Sequence, residues 1–154
     1  MTERKRREPG LFSGFSKDLE RLIRDSFVDG PGALAREGIW TPPTDVYEVE
    51  DAVVVRMEIP GVRPGEMDVT VVEDRLVIRG RRREEQTACR TCYRQVEIHS
   101  GAFLRVIPLR FPFDRDRIEA RYRDGFLYVE VPRRNAASGE TKSFRISVRS
   151  GDDE

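Results

Sequence analysis

Residues 118–132 read IEARYRDGFLYVEVP and contain the clearest β-hairpin pattern in the chain. Apolar and polar side chains alternate through Ile118–Arg123 and again through Phe126–Val131, as expected of half-buried strands. Between them lies Asp124-Gly125, a dipeptide typical of tight hairpin turns because it tolerates positive φ angles. The pattern therefore predicts two antiparallel strands, the second of which ends at Pro132.

Four further strands are predicted upstream of this hairpin. They are Ala52–Ile59, Met67–Val72, Arg75–Arg79 and Phe103–Leu109. Glu73-Asp74 predicts a tight turn between the second and the third, and Pro108 indicates that the fourth lies at a sheet edge or contains a bulge. Several short strands without intervening helices predict an all-β fold, an antiparallel immunoglobulin-like β-sandwich.

The segment before the strands predicts an amphipathic helix over about residues 12–28, and Gly30-Pro31-Gly32 ends the helical pattern. Its apolar side chains recur at spacings of three and four and form one stripe. This stripe packs either on its own domain or, as a sticky arm, on other subunits and foreign chains. The residues of the stripe are Phe12, Phe15, Leu19, Leu22, Ile23 and Phe27.

After the last strand, small and polar residues predict a flexible linker, and Phe144–Val148 then has the composition of a short strand. Ile146 and Val148 point the same way from an extended chain, so they form two apolar knobs that could dock in a groove. The alternative is a further strand of the same sandwich. The chain thus divides into an N-terminal arm (1–39), a β-sandwich domain (40–133) and a C-terminal tail (134–154).

The charge balance argues against a nucleic-acid partner, because 28 Lys and Arg residues match 28 Asp and Glu residues. We interpret the short basic run at residues 4–7 as part of a solvated end, since Glu3 and Glu8 flank it. No window has the apolar length of a membrane span, and the charged first residues do not resemble a signal peptide. We therefore expect a cytoplasmic protein with no integral membrane association.

The sequence also argues against an enzyme. His99 is the single histidine, and no nucleophile elbow, phosphate-binding glycine loop or metalloprotease helix is present in the sequence. A dithiol oxidoreductase would need Cys89 and Cys92 at the start of a helix after a strand, and no such pattern surrounds them. We expect no cofactor.

Six segments carry motifs that occur together in one family. They read WTPPTDVYE at 40–48, EIPGV at 58–62, LVIRG at 76–80, GAFLR at 101–105, ARYRDGFL at 120–127 and ISV at 146–148. In this order they resemble the small heat-shock proteins of bacterial type, whose core is the α-crystallin domain. The resemblance implies an ATP-independent holdase, which binds partly unfolded clients under stress and prevents their aggregation. A co-chaperone-like adaptor that binds one folded partner is the alternative, although such adaptors lack the Ile-x-Val tail and the long loop.

The resemblance also implies where this chain binds its partners. The apolar stripe of the arm would bind clients, and Ile146 and Val148 would dock on a neighbouring dimer of a larger homo-oligomer. Two strands line the docking groove, one through Val69 and Val71 and the other through Ile118 and Ala120. A loop after Gly80 would cross to the partner and exchange a strand. The implied dimer contacts are Thr87, Arg90, Thr91 and Arg105.

Cys89 and Cys92 fall in this loop, where the family has no required cysteine. Neighbouring arginines would lower a thiol pKa and permit a redox pair, but two reduced thiols are the simpler interpretation. Together with His99 they supply at most three ligands per chain, while structural zinc needs four, so we predict no metal. A site shared between chains stays open.

Overall fold

The computed structural model describes residues 21, 23, 24, 31–36, 38–84, 93–134 and 144–150. Within these ranges the chain forms nine β-strands, a short α-helix and two 3₁₀ turns, and residues 21, 23 and 24 are helical as well. The strands are β1 (Thr44–Val49), β2 (Ala52–Glu58), β3 (Met67–Val72), β4 (Arg75–Arg82), β5 (Gly101–Pro108), β6 (Glu119–Arg123), β7 (Phe126–Pro132), β8 (Phe144–Ile146) and β9 (Val148–Ser150). The helix, α1, spans Pro31–Arg36, and the 3₁₀ turns span Pro64–Glu66 and Arg115–Arg117.

The strands form two sheets that pack face to face. One sheet has the order β1-β2-β7-β6-β9 and the other has the order β5-β4-β3-β8. Neighbouring strands are antiparallel throughout, except that β9 runs parallel to β6. The predicted β-sandwich is therefore confirmed, and the tail supplies the parallel strand pair among the described strands.

The core lies between the sheets and consists of the inward-facing aliphatic side chains of both. Val55, Val69, Leu76, Leu127 and Val129 are fully buried there. Because the side chains of a strand alternate between its two faces, these positions are the ones that the period-two pattern assigns to the interior. The alternation in the sequence is thus explained by one shared core.

All six predicted strands are present, with ends that differ by up to three residues. Asp124 and Gly125 both have positive φ, as the predicted turn between β6 and β7 requires. Pro108 is the last residue of β5, which is an edge strand as expected. Gly30-Pro31-Gly32 was predicted only to end a helix, but α1 begins at Pro31. Proline suits the first turn of a helix.

A close approach between β4 and β5 depends on Gly80. The two strands place Gly80 directly opposite Phe103, a buried core residue. A Cβ atom at position 80 would lie 2.4 Å from the Phe103 ring and 2.6 Å from the carbonyl oxygen of Glu66. Only glycine leaves this space, so Gly80 allows the aromatic ring to fill the end of the core.

A second, smaller apolar cluster covers the outer face of the four-stranded sheet. Val77 and Leu104 contribute from β4 and β5, and Leu34 of α1, Ile39 and Ile23 pack over them. Each of these five side chains is buried. Part of the segment before the sandwich therefore lies on the sandwich itself.

Candidate functional site

The tail bridges the two sheets of its own chain. β8 pairs with β3 so that Ile146 lies opposite Val69, and β9 pairs with β6 so that Val148 lies opposite Ala120. Ser147 stands between the two short strands and is exposed. Without this tail, β3 and β6 would each have an unpaired edge. The tail thus closes one side of the sandwich.

The two apolar side chains of the tail reach the groove that the sequence analysis named. Ile146 is 7% exposed and belongs to the main core cluster, and Val148 packs against the same cluster. All four predicted groove residues are buried members of that cluster, namely Val69, Val71, Ile118 and Ala120. The structure therefore brings tail and groove together within one chain, whereas the resemblance placed the groove on a neighbouring dimer.

Two other segments expose large apolar side chains. One is β1, which is an edge strand, and the other is the part of the β4–β5 loop nearest β5. Their exposed fractions run from 41% to 81%. The side chains are Val46, Tyr47 and Val49 on β1 and Tyr93, Val96 and Ile98 in the loop. An open strand edge with apolar side chains is a surface that another strand can cover.

Of the predicted client-binding stripe, the structure describes only Ile23. Its side chain is buried against Leu34, Ile39, Val77 and Leu104 on the outer face of the four-stranded sheet. In this conformation Ile23 contacts its own domain. The other five residues of the stripe lie outside the described residues.

Of the remaining predicted site residues, the structure describes Arg105 but not the five that lie in the β4–β5 loop. Arg105 lies on the edge strand β5, opposite Ile78, and is partly exposed. Thr87, Arg90, Thr91, Cys89 and Cys92 lie outside the described residues. Within the described ranges, no group of three or more His, Cys, Asp or Glu side chains is placed to hold a metal ion.

Sequence reasoning missed a cluster at the base of the β4–β5 loop, where three distant residues meet. The Arg82 guanidinium carbon lies 4.4 Å from the centre of the Trp40 ring, and the His99 ring stacks on the same indole at 5.7 Å. Burial lowers the pKa of Arg82. No periodic pattern links positions 40, 82 and 99, so only the strand register reveals the contact.

The sandwich also matches a known protein family. A model of the Hsp20/alpha crystallin family matches residues 45–149. The chain belongs to this family. The match covers the sandwich from β1 to β9, so it includes the groove, the exposed edge and the tail strands.

Two curated relatives that are named heat shock proteins share about a third of their aligned residues with this chain. Heat shock protein 16 of Schizosaccharomyces pombe is 34% identical over 128 residues, which cover 79% of this chain and 87% of that protein. The 18.1 kDa class I heat shock protein of Pisum sativum is 34% identical over 147 residues, covering 92% of this chain and 93% of that protein.

A solved structure matches the fold. The hspA protein of Xanthomonas axonopodis superposes with a TM-score of 0.58 at 32% identity, covering 64% of this chain and 98% of that chain. Small heat-shock proteins are chaperones rather than enzymes, and family membership agrees with a chaperone role and with self-assembly. No helix among the described residues is long and apolar enough to cross a membrane.

Proposed function

We propose that this Hsp20/alpha crystallin family member is an ATP-independent holdase that binds partly unfolded proteins and keeps them from aggregating. The observation that carries the proposal is that two short tail strands cover an apolar groove of the sandwich. An unfolding protein exposes extended apolar segments with unpaired backbone groups. In the groove, such a segment can bury its apolar side chains and pair its backbone groups, as the tail does.

The groove offers a reversible contact because its occupant is small. β8 and β9 contribute three residues each, and Ile146 is a buried member of the main core cluster. When the tail leaves, Val69, Val71 and Ala120 lose their apolar cover and the edges of β3 and β6 become free. Release and capture then need no nucleotide, since both states differ only in which segment fills the groove.

Self-assembly follows from the same contact made between chains. The tail of a second copy carries the same Ile-x-Val segment, so it fills the groove with identical contacts. Residues 135–143 lie between the last described residue of the domain and β8, so this linker sets how far a tail reaches. We propose that tails exchanged between dimers build the larger homo-oligomer.

The dimer itself is proposed to form by strand exchange through the β4–β5 loop, residues 83–100. This loop carries exposed apolar side chains, as does β1, whose outer edge has no neighbouring strand in the described part of the chain. A strand from the partner's loop, with Thr87, Arg90 and Thr91, would pair with β1. This pairing would cover the exposed apolar side chains of β1 and of the loop. Arg105, on the edge strand β5, is proposed as a further dimer contact.

The arm is proposed as a second client-binding element. Its apolar stripe is long enough to offer several contacts, but Ile23 is covered by its own sheet. Client binding through Ile23 therefore requires that this segment lifts from the outer face of β4 and β5. Lifting would expose Val77 and Leu104 as well.

The test is to warm a heat-labile enzyme with this protein in the absence of ATP and to separate the mixture by size-exclusion chromatography. We expect the enzyme to elute with the protein in a large soluble complex. A synthetic peptide of residues 144–150 should reduce the amount of bound enzyme, whereas the same peptide with serine at positions 146 and 148 should not. Binding of a folded partner alone, with no capture of the warmed enzyme, would favour a single-partner adaptor and contradict the holdase.

A further inference from the structure

The β4–β5 loop leaves and re-enters the sandwich at one place. β4 ends at Arg82, which lies directly opposite Gly101, the first residue of β5. Gly101 has a φ of 87°, a left-handed conformation that turns the returning chain into the strand. This one residue pair therefore forms a narrow base at which the chain leaves the sheet for the eighteen-residue loop 83–100 and returns to it.

Trp40 is fixed across this base by its backbone and by its indole. Its N–H donates to the carbonyl of Ala102 at 3.1 Å, and its carbonyl accepts from the N–H of Leu104 at 3.2 Å. The indole Nε1–H donates to the carbonyl of Gly101 at 3.4 Å. The ring also packs edge-on against Phe103 at 5.6 Å, which ties it to the core.

Arg82 and His99, which stand on the two sides of the loop, both meet the Trp40 ring. The guanidinium carbon of Arg82 lies 4.4 Å from the ring centre, and the imidazole of His99 stacks at 5.7 Å with 20° between the planes. In addition, Nη1 of Arg82 donates to the His99 carbonyl at 2.9 Å. The outgoing and returning parts of the loop are thus joined to each other and to one fixed ring.

The geometry requires an arginine rather than any cation. A flat guanidinium stacks on an indole and still directs an N–H in its plane toward a carbonyl, which the point-like ammonium of lysine does not reproduce. Among the described residues, the buried Nε atom of Arg82 has no hydrogen-bond partner, an arrangement that lowers stability. The contact is therefore poorly explained as a device for folding stability alone.

We propose that Trp40, Arg82 and His99 form a clamp that holds the base of the 83–100 loop in the direction from which the loop pairs with a second copy of this chain. This inference rests on the strand exchange proposed above. A loop that is fixed at its base loses fewer conformations when it pairs, so the clamp strengthens dimerisation by pre-organisation. These residues act as positioning residues and need not touch the partner.

The test compares Arg82→Lys with Arg81→Lys in the full chain. Arg81 is the neighbouring arginine on β4 and is exposed, so the control makes the same chemical change outside the clamp. Sedimentation velocity over a dilution series gives the concentration at which half of the subunits are monomeric. We expect this concentration to rise about tenfold in Arg82→Lys, as for the loss of one stacked, charge-assisted contact, and to stay unchanged in Arg81→Lys.

Two further measurements distinguish a positioning role of the clamp from a role in folding stability. Trp40 is the only tryptophan, so quenching of its fluorescence by acrylamide reports the clamp directly. We expect stronger quenching in Arg82→Lys and in His99→Ala, with a thermal midpoint close to that of the wild type. An unchanged dimerisation constant, or a loss of thermal stability as large as the loss of dimerisation, would overturn the clamp.

A final control separates the clamp from the strand exchange on which it rests. Replacing residues 85–92 by a short glycine linker should abolish the dimer. If it does, and Arg82→Lys still dimerises normally, strand exchange is right and the clamp is wrong. If the wild type is monomeric, or the linker variant dimerises like the wild type, strand exchange is wrong and the clamp has no dimer to support.

Discussion

Replacing Ile146 by alanine should loosen the tail without unfolding the sandwich. Ile146 is 7% exposed and lies in the main core cluster, opposite Val69. The substitution removes about three buried carbon groups, and at about 0.8 kcal/mol each the tail loses about 2.4 kcal/mol of docking free energy. That change corresponds to a roughly 50-fold lower docking constant.

Hydrogen–deuterium exchange measures this change directly in the full chain. In Ile146→Ala the backbone amides of β8 should exchange roughly 50-fold faster, because local opening of the tail sets their protection. The thermal midpoint should stay near the wild-type value, since the pairing of β2 with β7 and of β3 with β4 is untouched.

The matched control is Ser147→Ala, which changes an exposed residue of the same segment. It should leave exchange in β8 unchanged. Unchanged exchange in Ile146→Ala would show that the buried side chain does not hold the tail. If a lower thermal midpoint explains all of the faster exchange in β8, the tail is instead an integral strand of the fold.

Three further predictions concern the sandwich itself. Gly80→Ala should destabilise the fold by about 1–3 kcal/mol in urea unfolding, because the new Cβ would overlap a core ring and a backbone carbonyl. The control Gly65→Ala should leave stability unchanged, because a Cβ there points into open space. Asp68→Asn should reduce stability by about 2–3 kcal/mol in the same assay, because the buried carboxylate accepts from Arg79 at 3.0 Å and pairs with its charge. Burial raises the pKa of the Tyr122 phenol in the folded protein. The unfolded chain therefore loses this proton first, and the free energy of unfolding should fall as the pH rises above about 10. Tyr122→Phe should reduce this fall in alkaline unfolding curves.

Each of these predictions has a result that contradicts it. Equal stability of Gly80→Ala and Gly65→Ala would mean that the close approach of β4 and β5 relaxes freely. For the ion pair, replacing both Asp68 and Arg79 by leucine should restore much of the stability, and a still larger loss would argue against a pairwise interaction. For Tyr122, parallel alkaline curves of wild type and Phe variant would show that its phenol titrates normally.

The sequence predicted the sandwich because strand signals are local. Alternation of apolar side chains and the Asp124-Gly125 turn act over a few residues, so β2 to β7 were found without tertiary information. β1 was missed as a strand, because TDVYEV at 44–49 lies on an exposed edge and lacks a clear apolar face. Such an edge is stabilised by pairing with β2 rather than by its own pattern.

The candidate site was predictable only where its signal was local. Ile146 and Val148 stand two positions apart, so their common direction follows from strand geometry, and the groove residues followed from a family resemblance. That the tail fills the groove of its own chain depends on the path of the linker, which no local pattern encodes. The contact of Trp40, Arg82 and His99 depends on the register of β4 with β5, and a shift of one residue would remove it.

The most direct test of the holdase proposal is the aggregation of a heat-labile enzyme followed by light scattering. The enzyme is warmed without ATP, alone and with this protein at equimolar subunits, under reducing and under oxidising conditions. The proposal predicts that scattering is suppressed and that the enzyme stays in solution. Scattering that rises equally with and without the protein in both conditions would contradict the central claim.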